Sequence, residues 1–326
     1  MLSIDLLNDL AVNRDTLTPY GIPFLDDALH GISRNELVVI GSHTGVGKTE
    51  LLTNIALNAS KTKKVIFFAL EAEPREIEHR LTYRELCTRY FALTTKPKLA
   101  TQLQYSNYRL GLLGNEINEL ITDSADAVEK LLANLTLVYA KDLTVESFVL
   151  EVQAHAHLHD LWIIDHLHYF EWGDDELKGV RDLMKAVRKV GVDFEVPLVF
   201  ACHLRKKDRF ASDFPELAEL HGSSEISKRA TTVILLGEPK RGKFQLDGEN
   251  KSPTVLHVAK CRHEGALRHW YGLHMFDFYA RSYSPTYYLL ERKKGEFEGV
   301  QDKRQMPKWC TNGIALPTEV STYERY

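Results

Sequence analysis

The chain has few cysteines and no arrangement that would make use of them. Cys87, Cys202, Cys261 and Cys310 lie far apart among 326 residues and form no C-x-x-C pair. Neither a disulfide framework nor a zinc site is suggested, and a reducing compartment is expected. No apolar run approaches the ~20 residues needed to span a bilayer, so no membrane partner is expected. Met1-Leu2-Ser3-Ile4-Asp5 lacks the basic start of a signal peptide and the arginines of a transit peptide, which gives a cytoplasmic expectation. Internal repeats and low-complexity tracts are missing. There is no large excess of either charge: the net of −4 does not advertise a polyanion partner, although basic residues can still be concentrated locally. What is present is a 44% apolar fraction, ordinary for a globular chain of one large domain or two small ones.

The strongest positive signal is Gly41-Ser42-His43-Thr44-Gly45-Val46-Gly47-Lys48-Thr49. It follows the apolar run Leu37–Ile40 and opens a helix-like segment. Strand, glycine-rich turn and helix in that order are the context a phosphate-binding loop requires. Glycines let backbone N–H groups crowd around phosphate oxygens, and the helix N-terminus adds unpaired donors and positive dipole. Lys48 is expected to reach the β and γ phosphates of ATP, and Thr49 to hold Mg²⁺. Ser42 stands where the first glycine of the usual pattern would be.

Apolar runs alternate with helical patterns, which points to a mostly parallel sheet flanked by helices. The predicted strands are 37–40, 65–70, 135–139, 161–165, 198–202, 233–236 and 255–259. The predicted helices are 48–59, 75–90, 145–156, 176–190 and 225–229. Pro74, Asp142 and Thr144 mark helix starts. Residues 95–134 are polar and read as a helical excursion. Residues 1–16 carry a stripe of Leu2, Leu6, Leu7 and Leu10, either folded back on the chain's own core or forming an arm that docks on a neighbouring subunit. Residues 17–290 form the main domain. From 291 to 326 periodicity fades around Pro307 and Pro317, and a tail is expected.

Several strands end in residues able to do chemistry. Leu161–Ile164 ends in Asp165, whose carboxylate can orient a Mg²⁺-bound water. The run from Val65 ends in Glu71, a candidate general base, with Glu73 and Glu76 as competitors. Leu198–Cys202 ends in His203, a candidate γ-phosphate sensor. Arg205, Lys206, Lys207 and Arg209 then place four basic residues in five, suited to a nucleic-acid backbone or merely solvated. Lys260 and Arg262 are one residue apart and can share a strand face. They serve a neighbour's nucleotide, with Arg262 as an arginine finger, or pair with surface acids. His155, His157, His159, His166 and His168 invite a metal reading, but structural roles are favoured.

In their order these features resemble the RecA-like motor domain of the DnaB-type hexameric replicative helicases, including the phage and mitochondrial Twinkle-like branch. The resemblance covers roughly residues 17 to 275. Thr18–Asp26 is similar to the lead-in segment, and Phe68-Ala69-Leu70-Glu71 to the motif with the catalytic glutamate. Ile163-Ile164-Asp165-His166-Leu167 is similar to the Walker B strand. Phe200–Arg205 resembles the sensor motif, with His203 as in the phage-like branch. Leu220–Ile226 is similar to the turn and helix closing the DNA-binding loop, and Lys260-Cys261-Arg262 to the trans-acting Lys-x-Arg finger. The resemblance implies a RecA-like P-loop core and a ring, usually of six, with ATP and Mg²⁺ between subunits and single-stranded DNA in the channel. A primase, polymerase or loader is an implied partner. The sequence carries no primase segment and no bacterial-type helical N-terminal domain, so ring stability and loading are expected to rest on the arm or on partners. Alternatives are a RadA- or KaiC-like ATPase, and an ATP-gated scaffold or loader that does not unwind.

Overall fold

The computed structural model describes residues 8, 10–12, 16–93, 103–171, 175–205, 214–220, 223–239, 251–293 and 296–316. Most of the proposed N-terminal arm falls outside them, as do Lys206, Lys207 and Arg209.

Six parallel strands form the centre of the sheet: β1 (Leu37–Ser42), β2 (Val65–Ala69), β3 (Leu135–Val138), β4 (Leu161–Asp165), β5 (Leu198–His203) and β6 (Thr232–Gly237). Their order is β3-β2-β4-β5-β1-β6. Such strands are covered on both faces, which is why they read as nearly continuous apolar runs. Alternate residues still go to opposite sides. Val38 and Ile40 join the core on one face with Leu51, Leu52 and Ile55 of α2 (Lys48–Ser60). Leu37 and Val39 join the other, with Phe148 of α6 (Val145–His155) and Leu183, Met184 and Val187 of α7 (Glu176–Asp193). Local caps start these helices: Thr144 and Ser147 form a reciprocal capping box, and Asp175 accepts from the Lys178 N–H at 2.9 Å.

The helical excursion packs on α3 (Glu76–Leu93). It contains α4 (Tyr105–Arg109) and α5 (Asn118–Leu131), with Leu103 and Ile117 buried against Tyr83, Leu86 and Cys87.

The sheet then continues in antiparallel fashion, which the sequence reading did not foresee. β7 (Lys251–Cys261), β8 (Trp270–Asp277), β10 (Tyr287–Lys293) and β11 (Glu296–Gly299) extend it beyond β6, with β9 (Ser282–Tyr283) on β8 and β12 (Gly313–Ile314) on β10. A tail from residue 291 is therefore not what residues 291–316 form. Val300, Cys310 and Leu316 are buried, and Asp27 on α1 (Pro23–Leu29) ties the segment down. Its carboxylate accepts the N–H groups of Thr311 and Asn312 at 2.9 and 2.7 Å, the Thr311 hydroxyl, the Asn312 amide and the Tyr287 hydroxyl.

Candidate nucleotide site

The parallel strands all end on one edge, and the register sets which residues meet there. Ser42 pairs with His203 across β1 and β5, and Ala69 pairs with Asp165 across β2 and β4. Just beyond β2, the Asp165 carbonyl accepts the N–H groups of both Leu70 (2.7 Å) and Glu71 (3.2 Å). The strand thus stops at Ala69, one residue earlier than expected, yet Glu71 is still pinned beside Asp165. The carboxyl edge of an open parallel sheet is where ligands of such folds bind.

The loop between β1 and α2 does what its sequence suggests. Gly45 and Gly47 have φ of +84° and +102°, a region costly for other residues, and a Cβ on either would meet nothing within 4 Å. Thr44 through Thr49 line a cavity of about 530 Å³, with Glu71 and His203 also in its wall. Gly41 and His43 are not among its lining residues. Gly41 lies inside β1, where a Cβ would come within 2.6 Å of Leu220 and 3.0 Å of Leu235, so close packing explains it. His43 faces Glu219 at 3.4 Å. Ser42 is fully buried, and its hydroxyl and carbonyl both lie 3.3 Å from the Lys48 Nζ. The residue in place of the usual first glycine therefore steers the lysine.

Lys48 also donates to Nδ1 of His203 at 3.0 Å. Burial, opposed by Asp165 and Glu71, lowers its pKa. His203 is pushed down to about 4 by burial and by the neighbouring His166 and Lys48, so its ring is neutral near pH 7. The Thr49 hydroxyl donates to Asp165 Oδ2 at 2.6 Å. Asp165 Oδ1 is buried with no hydrogen-bonding partner among the described residues, and burial raises the carboxyl's pKa. An orphaned carboxylate oxygen beside a threonine hydroxyl fits a hard, oxygen-seeking cation such as Mg²⁺. Of the competing carboxylates, Glu73 is exposed and faces Arg109 at 3.3 Å, while Glu76 is held by Arg80. Glu76 also lines the cavity, but Glu71 is the carboxylate residue whose backbone is bonded to Asp165.

β4 ends at Asp165 and the chain enters a 3₁₀ turn at Leu167–Tyr169, so His166 and His168 do not share a strand face. Among the described residues, Glu71, His166 and His203 form a trio whose donor atoms lie within 4.8 Å of one another. It is a poor metal site. The His168 N–H donates to Nδ1 of His166 at 3.1 Å, so the neutral ring carries its proton on Nε2 and has no lone pair there. The lone pair on Nδ1 of His203 already faces the Lys48 ammonium.

A second charged wall was not visible in the sequence. Glu50, in the first turn of α2, pairs with both Arg80 of α3 and Arg281 from the β8–β9 turn. Arg281 also stacks over Tyr105 at 4.5 Å, and its carbonyl accepts the Asn54 amide. The spacing of Glu76 and Arg80 is a readable helical pair; the distant Arg281 has no local signal.

Lys260 and Arg262 lie at the other edge. Cys261 pairs with Thr232, which pairs with Val38, so Arg262 is level with the start of β1. The cavity opens beyond Ser42, at the far end of β1 and about 17 Å further along at ~3.3 Å per residue. Lys260 donates to the carbonyls of Ser227 and Ala230 at the end of α8 (Ser223–Arg229), and burial, then Arg262, lowers its pKa. Arg262 is exposed. Neither residue lines the chain's own cavity. The backbone N–H of Arg205 donates to the Glu219 carbonyl at 2.8 Å, just past the sensor strand.

A parallel sheet with this loop, strand-end carboxylates and buried lysine is that of a RecA-like P-loop domain. The chain belongs to the DnaB-like helicase C-terminal domain family, whose model matches residues 18–271. It is 25% identical over 240 residues to the replicative DNA helicase DnaB of Mycoplasma genitalium, a match covering 69% of this chain and 47% of that protein. It is 23% identical over 263 residues to the replicative DNA helicase DnaB of Geobacillus stearothermophilus, covering 77% of this chain and 54% of that protein. The chain thus spans about half the length of the curated relatives it matches. In fold it is similar to a solved ATPase domain, with a TM-score of 0.69 and 16% identity, covering 86% of this chain and 96% of that one. It is also similar to a DnaB-like replicative helicase whose structure is described with its primase interactions, with a TM-score of 0.61, 15% identity and coverage of 86% and 61%.

Proposed function

We propose that this chain is an ATP-driven motor that moves along single-stranded DNA as a ring of identical subunits, usually six in this family. The observation that carries the reading is the division of parts between two edges of one sheet. Lys48, Thr49, Glu71 and His203 line the cavity, with Asp165 bonded to Thr49 behind it, whereas Arg262 lies on the opposite edge and is exposed. A finger that does not reach its own nucleotide suits a site completed by a neighbour.

In this reading the loop's backbone N–H groups and Lys48 bind the phosphates of ATP. Thr49 and Asp165 would hold Mg²⁺, which would supply positive charge beside the phosphates. Glu71 takes a proton from the attacking water. His203 exchanges its contact with Lys48 for one with phosphate and passes the change to Arg205 and the basic run after it. Lys206, Lys207 and Arg209 belong to that run in the sequence and would contact DNA phosphates. A primase is the partner suggested by the similar helicase structure described with one. No helix among the described residues is long and apolar enough to cross a membrane.

The test is ATP hydrolysis by the purified chain with and without single-stranded DNA, with particle images of the same sample. Rings and DNA-stimulated turnover are expected. Turnover that responds only to a protein partner would favour the scaffold or loader.

A further inference from the structure

We infer that His166 is the positioning residue for the general base, holding the Glu71 carboxylate toward the nucleotide. The inference rests on the reading of Glu71 as base. Three observations carry it. The imidazole is buried, with its side chain 3% exposed, in a wall otherwise built for chemistry. Its Nδ1 accepts the His168 N–H at 3.1 Å, which fixes the tautomer and leaves the proton on Nε2. That Nε2 stands 3.2 Å from Glu71 Oε2.

Glu71 needs such a partner. It sits just past the end of β2, its side chain is 41% exposed, and its backbone N–H bonds to the Asp165 carbonyl. Without a side-chain contact its carboxylate would sweep several rotamers. The pair is in contact without ideal alignment, as catalytic hydrogen bonds often are before substrate binds. The contact with His166, more than any other, holds the Glu71 carboxyl below its ordinary range, and burial opposes it. That direction does not make a stronger base. What the contact supplies is aim. The same ring meets His203 edge to face at 4.1 Å, and Tyr169 closes its other side at 4.8 Å, so the donor is rigid.

The test uses the full chain with saturating single-stranded DNA. His166→Asn keeps an acceptor for the His168 N–H but is too short to reach Glu71. His166→Gln places an amide N–H near the Nε2 position. His166→Asn should lower kcat by about tenfold to a hundredfold, the scale of a misplaced catalytic group, with KM for ATP and nucleotide affinity within about twofold of the parent. His166→Gln should recover most of the rate. In a Glu71→Gln background His166→Asn should add less than about twofold, because the group it aims is gone. A parent-like kcat for His166→Asn, where Glu71→Gln alone is inactive, overturns the positioning role and leaves the base assignment standing. An equal loss in both backgrounds also overturns it, since the effect would then be structural. Near-parent turnover in Glu71→Gln itself overturns the base reading instead. If His166→Asn does not fold, His166→Phe replaces it with the same expected and overturning results.

Discussion

The Lys48 ammonium stands 3.0 Å from Nδ1 of His203, a charged donor resting on a neutral acceptor. Burial is the largest cause lowering the pKa of each group, and it leaves the His203 ring neutral near pH 7. A phosphate offers Lys48 an anionic acceptor, which turns an ion–neutral contact into an ion pair. In the proposed function this contact is the resting arrangement, and its exchange for phosphate carries nucleotide binding to β5.

Lys48→Ala should abolish ATP hydrolysis, with turnover reduced by at least about a hundredfold. The thermal midpoint should move little, because burial already works against the ammonium. Turnover and a melting curve on the same preparation check both parts. Near-parent turnover would remove the nucleotide assignment.

Glu71→Gln should still bind ATP but hydrolyse it at least about a hundredfold more slowly, the usual scale for a general base. Glu73→Gln should be close to the parent, since that carboxylate is exposed and faces Arg109. The reverse pattern in single-turnover assays would place the base two residues downstream.

Acid should weaken the antiparallel half of the sheet. His257 and His274 are buried and pushed down to about 4, first by burial, although the carbonyls of Arg268 and Ser284 favour their protonation. Their unfolded pKa is about 6.5. The unfolded chain therefore binds more protons between these values. Stability is full above about pH 6.5 and falls as pH drops toward about 4, by roughly 1 kcal/mol per pH unit for each histidine. His257→Gln should lose less stability than the parent between pH 7 and pH 5 in denaturant titrations. An equal loss in both would show that His257 does not carry the effect.

Asp27→Asn should lower the thermal midpoint markedly. One buried carboxylate satisfies donors from Tyr287, Thr311 and Asn312, and the amide must present an N–H where two of the neighbours also donate. A loss of about 2 kcal/mol or more is expected for leaving buried donors unpaired. An unchanged melting curve would mean that residues 296–316 are held by apolar packing alone.

That carboxylate also explains where the sequence ceased to be readable. The parallel core was legible because its strands are apolar runs, two of which end in a chemical residue, Leu161–Asp165 and Leu198–His203. Thr144 announced its helix through capping chemistry. The strands after β7 mix polar and apolar residues on half-covered faces, and Trp270–Asp277 and Tyr287–Lys293 show no clean alternation. What holds residues 296–316 is a contact with Asp27, far away in sequence, which no local pattern carries. The same holds within the site. Lys48, Thr49 and Asp165 were readable from spacing, while Arg281 on Glu50 and the proton on His166 needed coordinates. Gly41 was read as part of the phosphate cradle, and its packing against Leu220 and Leu235 gives it another reason.

The central claim is that each nucleotide is hydrolysed at a site completed by Arg262 of a neighbour. Mixing Arg262→Ala chains with Lys48→Ala chains tests it most directly. Each variant alone should be inactive, while mixed assemblies should regain ATP hydrolysis at interfaces that pair an intact Arg262 with an intact Lys48, with activity rising and falling with the mixing ratio. No recovery at any ratio, with mixed assemblies verified by mass, would contradict the account and leave Arg262 outside the hydrolytic site.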